Sequence, residues 1–470
     1  MINKTLRELA DMCGGTLTGT DSDTELVKVA GVATDTRKLT EGSLFFPLSG
    51  EKFDGHRFVE EAFASGIAAS LWRKDIAVPS GLQERPLIIV DDPLAALQRL
   101  AAAYVRERAV RVIGVTGSNG KTTTKDMIYS VLSTTYNVHK TQGNYNNHIG
   151  LPLTILEMDE RTEIAVLEMG MSGRGEIELL SRIARPEVAV ITNIGEAHLL
   201  QLGSREEIAR AKLEIVSGLR EDGVLIYNGD EPLLDRCLAE TDFGRSAPPA
   251  RVRFGLSETN DHYPTGMMFH TSRTIFTTNG ASEQSYTIPL MGQHNVMNAL
   301  AAIAVARHFG VTDESIRSGL GQLDMTGMRT EVIQAASGLT IVNDAYNSSP
   351  TAVRAAIDMF APMKGYRSKT VVLGDMLELG QEEEELHRSI GRYLDAGKTD
   401  YVYTYGPLSL RIAEGALENM PEGRVFSFTD KEELIGALLK QLSPRDIVLV
   451  KASRGMRLEE VVHTLRDYPL

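Results

Sequence analysis

One stretch, VRVIGVTGSNGKTTTKDMI at residues 110–128, constrains this chain more than any other. An apolar run enters Thr116-Gly117-Ser118-Asn119-Gly120-Lys121-Thr122-Thr123, and a helix-forming sequence leaves it. Strand, glycine loop, helix is the unit of a parallel sheet that binds anions at its carboxyl edge. Gly117 and Gly120 let backbone N–H groups turn toward an anion with no Cβ in the way. The helix starting at Lys121 offers unpaired N–H groups and about half a positive charge. Lys121 is placed to reach the outer phosphates, and the Thr122 hydroxyl to hold Mg2+. The strict phosphate-loop pattern asks for glycine at position 115, whereas here Val115 follows Gly114. The order of parts still predicts a nucleotide phosphate at residues 116–123, and leaves the reaction open.

Such a loop needs a sheet behind it. Apolar runs at 110–115, 164–168, 188–192 and 224–227 alternate with helical stretches, as strands buried on both faces do. From about 251 to 290 the pattern changes to alternating strands with a hairpin signal at Asn279-Gly280, and a helix at 295–309 follows. A second βα array begins near 325, with strands at 340–343, 369–374, 401–404 and 446–451. Ahead of the loop come short β-like runs at 43–46 and 87–90 and a helix at 93–108. At roughly 150 residues per domain, 470 residues accommodate three. The expectation is an α/β protein with a small mixed α/β N-terminal domain (1–92), a central P-loop parallel-sheet ATPase domain (93–324) and a C-terminal Rossmann-like α/β domain (325–470).

Charge and cysteine content narrow the partners. Lys and Arg number 49 against 63 Asp and Glu, a formal net charge of −14, which weighs against nucleic acid or an anionic membrane. A local basic pocket for an anionic substrate stays compatible with that balance. Only Cys13 and Cys237 occur, too few for a disulfide framework or a cysteine-built zinc site, so a reduced, cytoplasmic setting is expected. No stretch approaches the ~18 apolar residues of a membrane span, and the first residues read as an amphipathic helix, not a signal sequence.

Three further residues stand where chemistry is done. Glu168 ends a strand (AVLEMG), and His198 follows another strand end (ITNIGEAHLLQLGS). Together with Thr122 they could complete a divalent-metal site, although a turn carboxylate and a hydrogen-bonded surface histidine fit the same pattern. In the helix expected at 205–219, Ile208, Ile215, Val216 and Leu219 share one arc, and Lys212 falls inside it. Such a lysine either snorkels outward or is held for reaction. Desolvation favours the neutral amine, the form that adds CO2 to give a carbamate.

The loop Thr-Gly-Ser-Asn-Gly-Lys-Thr-Thr resembles the ATP loop of the Mur ligase superfamily, which joins an amino acid or peptide to a carboxylate through an acyl phosphate. Residues 193–215 resemble the segment that carries that family's metal-binding histidine and carbamylated lysine, roles that would fall on His198 and Lys212. The stretch 292–302 (GQHNVMNALAA) is similar to the helix start near the adenine, with Asn295 as the nucleotide contact. Arg329 in GMRTEV and Asp344 in VNDAYNSSP match positions that reach the nucleotide from the last domain. Asp35-Thr36-Arg37, the run 42–46 (GSLFF) and Asp54-Gly55-His56 resemble the module that holds the UDP end of the substrate, which implicates Thr36, Arg37 and Ser43.

Three stretches discriminate within the family: 143–153 (GNYNNHIGLPL), with Asn144 and Asn147 toward the UDP substrate, 343–350 (NDAYNSSP) and 373–379 (LGDMLEL). They look like the member that adds D-alanyl-D-alanine to UDP-N-acetylmuramoyl-tripeptide in peptidoglycan synthesis. The Asp-Asn-Pro-Arg motif of the neighbouring ligase is absent. The resemblance implies ATP, two Mg2+ ions and CO2 as a lysine carbamate; nothing in the sequence demands more than a monomer. Lys121, His198 and Lys212 would be catalytic; Thr122, Glu168, His198 and carbamylated Lys212 would hold metal. Another ADP-forming ligase of the folylpolyglutamate synthase kind, a P-loop kinase or ATPase, and a nucleotide-gated binding protein are the competing readings.

Overall fold

The computed structural model describes residues 2–50, 53–244, 246–270, 272–280, 284–323 and 331–468. At its centre six strands lie in the order Val138–Lys140, Ile164–Glu168, Arg111–Thr116, Val188–Ile191, Val224–Asn228, Ala250–Phe254, all parallel. Alternate residues of these strands point to opposite faces and divide the interior in two. Val112, Leu167, Ala189 and Leu225 join the helices Pro93–Arg108, Glu176–Ala184 and Arg205–Leu213 on one side. Ile113, Val115, Val166, Val190 and Ile226 meet Lys121–Leu132 and Gln293–His308 on the other.

At its margins this sheet differs from the pattern expected from sequence. Ala250–Phe254 belongs to the parallel sheet, as its outer strand, and alternates because only one of its faces is covered. Pro264–Phe269, Thr274–Thr278 and Tyr286–Ile288 form a separate antiparallel sheet; the Asn279-Gly280 turn joins its last two strands, and 281–283 lie outside the described residues. The helix expected at 205–219 is α-helical only over Arg205–Leu213 and tightens to a 3-10 turn at Glu214–Gly218.

A smaller mixed sheet precedes the central one, in the order Thr16–Thr18, Leu87–Val90, Ala69–Arg73, Leu44–Phe45, Val32–Ala33, with the first strand antiparallel. Leu6, Leu9 and Cys13 of its first helix share a core with Leu97 and Leu100 of Pro93–Arg108, so apolar packing continues into the central unit. The last sheet runs Glu331–Gln334, Thr340–Asp344, Ile447–Lys451, Lys369–Gly374, Tyr401–Tyr405, Val425–Phe428, parallel except for its first strand. Among the described residues no helix is long and apolar enough to cross a membrane.

The central and last sheets present their carboxyl-end loops to each other. Asn119 meets Ser349, with Asn119 Nδ2 to Ser349 Oγ at 3.3 Å. The Glu196 carboxylate accepts the Thr351 hydroxyl at 2.8 Å and its N–H at 3.2 Å. Thr351 lies in the first turn of Pro350–Phe360, where a helix favours negative charge.

Candidate functional site

The glycine loop is held open by the neighbouring strand end. Ser118 N–H donates to Asn193 O at 3.0 Å and Asn119 N–H to Asn193 Oδ1 at 2.9 Å. Thr192 Oγ1 and Asn193 Nδ2 both donate to Asn119 O, at 2.5 and 3.1 Å. Gly117 has φ 144°, and a Cβ there would lie 1.9 Å from Thr192 Oγ1, so only glycine fits. Gly120, at φ 78°, caps the helix Lys121–Leu132 against Asn298. Gly114 lies inside the strand, and the loop is complete without it.

Lys121 folds over this loop, Nζ to Gly117 O at 2.8 Å. Ser118 Oγ is buried with no hydrogen-bond partner, an orphan where an anion's oxygens would supply one. Thr123 lines the same cavity, while the Thr116 hydroxyl is committed to Met169 O at 2.8 Å. The cavity, about 220 Å3, is walled by Ser118–Lys121, Asn295 and Asn298 on one side and by Asp344, Asn347 and Lys451 on the other. Asn295 bonds Met291 O at 2.8 Å and accepts from Asn298 Nδ2 at 3.2 Å, while Asn298 accepts from Thr124, which fastens this helix start to the loop's helix. Asp344 receives Lys451 Nζ at 2.6 Å. Arg329 lies outside the described residues.

Thr122 and Glu168, each 2% exposed, meet behind the loop, with Thr122 Oγ1 donating to Glu168 Oε2 at 2.7 Å. Asn146 Nδ2 holds the other carboxylate oxygen at 2.8 Å, and Thr141 Oγ1 accepts the Glu168 N–H at 3.0 Å. Buried Lys125 fixes that segment in turn, Nζ to Thr141 O at 2.8 Å. A hydroxyl and a carboxylate, both hard oxygens beside a phosphate loop, suit Mg2+ completed by phosphate oxygens. Among the described residues no group of three or more His, Cys, Asp or Glu forms a ready-made metal cage.

Lys212 is 1% exposed, and its Nζ has no hydrogen-bond partner. Ile208, Ile215 and Val216 are wholly buried beside it in sequence, so the amine does not snorkel. Burial, and then the nearby charge of Lys121, hold it well below the usual lysine range. His198 bonds Glu378 of the last domain, Nδ1 to Oε2 at 2.8 Å. Burial and the charges of Lys212 and Lys121 hold the imidazole below the usual histidine range, against the pull of Glu378.

Tyr145 links the expected UDP module to this centre. Thr36 and Arg37 lie in the turn Thr36–Lys38, where Arg37 pairs with Asp35 at 2.7 Å. Lys38 Nζ reaches Tyr145 OH at 3.0 Å, and Asn146 beside it touches Glu168. Ser43 Oγ is buried without a partner. Asn144 is exposed, and Asn147 Oδ1 accepts the N–H groups of Ile149 and Gly150 at the following helix start. Asn146, Asn193, Lys451 and Glu378 join the site beyond the residues expected from sequence. Lys451 carried the same signal as Glu168, a charge closing an apolar strand; the others are revealed only by contact.

Residues 28–105 match the Mur ligase family catalytic domain, 115–306 the Mur ligase middle domain and 328–454 the Mur ligase glutamate ligase domain. The UDP-N-acetylmuramoyl-tripeptide–D-alanyl-D-alanine ligase of Bacillus subtilis (strain 168) is 53% identical over 473 residues, which cover 100% of both chains. A crystal structure of MurF from Acinetobacter baumannii superposes with a TM-score of 0.88 at 30% identity, over 99% of each chain. MurF ligase from Thermotoga maritima in complex with ADP gives 0.81 at 29% identity, over 95% of this chain and 98% of that one.

Proposed function

This chain belongs to the Mur ligase family, and from that premise we propose that it joins D-alanyl-D-alanine to UDP-N-acetylmuramoyl-tripeptide, converting ATP to ADP and phosphate. The observation that carries the reading is a single cavity with the phosphate loop on one wall and Asp344, Asn347 and Lys451 of another domain on the facing one. Nucleotide and acceptor then meet only when the domains do.

A carboxylate is a poor acyl donor, because oxide would have to leave. Transfer of the γ-phosphoryl to a carboxylate oxygen of the tripeptide gives an acyl phosphate and ADP. The dipeptide amine then attacks the carbonyl carbon, phosphate departs and the nitrogen loses a proton. Phosphoryl transfer needs position and charge neutralisation more than covalent help from the protein. Lys121 would turn from Gly117 O to the phosphoryl oxygens, Ser118 would gain its missing partner, and Asn295 and Asp344 would hold the rest of the nucleotide. Mg2+ at Thr122 and Glu168, and a second ion at His198 and Lys212, would neutralise the phosphate oxygens. A neutral Lys212 amine taking up CO2 and releasing a proton would provide a carboxylate there; its orphaned, sealed nitrogen suits that group. Thr36, Arg37, Ser43, Asn144 and Asn147 would hold the UDP end. We assign domain limits of 1–92, 93–324 and 325–470, a monomer as the working unit and a cytoplasmic setting.

The test is product mass spectrometry with ATP, Mg2+, the UDP-linked tripeptide and D-alanyl-D-alanine, the tripeptide carboxylate carrying 18O. The pentapeptide product and labelled phosphate are expected. Turnover with folate and glutamate instead, or phosphate released without an amine acceptor, would overturn the reading. Lys121→Ala should lower kcat by on the order of 10^2 to 10^3, as loss of one key electrostatic donor does. Lys212→Ala should be inactive and partly rescued by a short carboxylate in the buffer.

A further inference from the structure

Five non-glycine residues among those described have positive φ: Ala109, Arg185, His198, Glu378 and Arg457. Ala109, Arg185 and Arg457 close helical segments at their carboxyl ends, an ordinary use of that conformation. The remaining two, His198 at φ 68° and Glu378 at φ 65°, face each other across the seam between the central and last domains. Strained backbone of this kind persists where the surroundings over-determine it, and it clusters at functional sites.

The contact has two parts. His198 Nδ1 meets Glu378 Oε2 at 2.8 Å, and Leu200 N–H donates to Glu378 O at 3.0 Å. Glu378 is presented by a segment anchored to its own domain. Met376 N–H donates to His387 Nε2 at 2.9 Å, Leu377 N–H to Ser453 Oγ at 2.9 Å, and Leu379 is buried. The Glu378 side chain is 49% exposed, and an exposed pair of this sort adds little stability. Stability therefore does not account for two strained residues meeting at one hydrogen bond. A carboxylate on one ring nitrogen of a histidine does something else: it fixes the tautomer and leaves the other nitrogen for a metal.

We propose that Glu378 is a positioning residue which the last domain lends to the central one, orienting the His198 ring so that Nε2 is available to a divalent cation. The proposal rests on the reading of His198 as a metal ligand. Domain docking and completion of the second cation site become one event. With the domains apart the ring loses its partner, and phosphoryl transfer waits for the substrates to bring them together. The stretch LGDMLEL acquires a physical task by this route.

The experiment compares the full chain with Glu378→Gly and Glu378→Gln. In metal-free protein with ADP and the UDP-linked tripeptide bound, 15N NMR of the His198 ring should show an Nδ1–H tautomer in the parent and averaged nitrogens in Glu378→Gly. With ADP present, Mn2+ should broaden the His198 ring resonances of the parent at 10- to 100-fold lower concentration than those of Glu378→Gly. The half-saturating Mg2+ for turnover should rise by a similar factor. Glu378→Gln, whose amide oxygen still accepts from Nδ1, should fall between the two. Glycine relieves the left-handed backbone, so Glu378→Gly should melt no lower than the parent. A folded Glu378→Gly with the parental tautomer and Mn2+ response overturns the proposal. The ring and Mn2+ readouts need no turnover, so failure of the ligase reading would show separately.

Discussion

A lysine amine buried without a hydrogen-bond partner is a poor choice for stability. A buried donor without a partner costs about 1–3 kcal/mol, so Lys212→Met should stabilise the fold by about that much in CO2-depleted buffer while abolishing turnover. Paired thermal melts and rate measurements check this, and a less stable variant would contradict it. Gly117→Ala tests the loop in the opposite sense. Its Cβ would collide with Thr192 Oγ1, so the loop must distort, and calorimetry should find nucleotide binding lost. Asp54 offers a pH prediction. Burial works to raise its pKa, but hydrogen bonds from the His56 N–H and ring and from Ser49 outweigh that and bring it down to about 2. A carboxyl depressed in the folded state stabilises above its unfolded pKa, and that contribution fades as pH falls from near 4 toward 2. With the side chain 40% exposed, Asp54→Asn should cost about 1 kcal/mol at pH 7 in urea unfolding and close to nothing at pH 2.

At the scale of elements, legibility followed burial. The strands Ile164–Glu168 and Lys369–Gly374 were readable to the residue, because a strand covered on both faces must be a continuous apolar run. Val138–Lys140 was not, since this short outermost strand carries His139 and Lys140 and has no such run. The phosphate loop announced itself through local chemistry, and Lys212 through a charge inside an apolar arc. The braces did not, because Asn193 supports Asn119 from the loop after another strand, 74 positions away, and asparagines in loops are common. Their work can be measured. Asn193→Ala removes two hydrogen bonds from the loop, and at about 0.5–1.5 kcal/mol each the nucleotide Kd should rise on the order of 10-fold with the fold intact.

For the whole molecule, the decisive relation is between two sheets whose carboxyl-end loops meet. Glu196 and Thr351 form one clasp of that meeting, at the rim of the cavity that the phosphate loop also lines. Thr351→Val deletes the hydroxyl half of it and should shift the population toward separated domains, read as a larger radius of gyration by solution scattering with ADP present; an unchanged radius would assign the clasp no part in docking. We expect a chamber whose two walls belong to different domains to release its contents as those domains swing apart. Solvent friction should then set the tempo of the enzyme: sucrose added to the buffer should slow each cycle in proportion to viscosity, although no bond made or broken inside feels the thickness of the fluid.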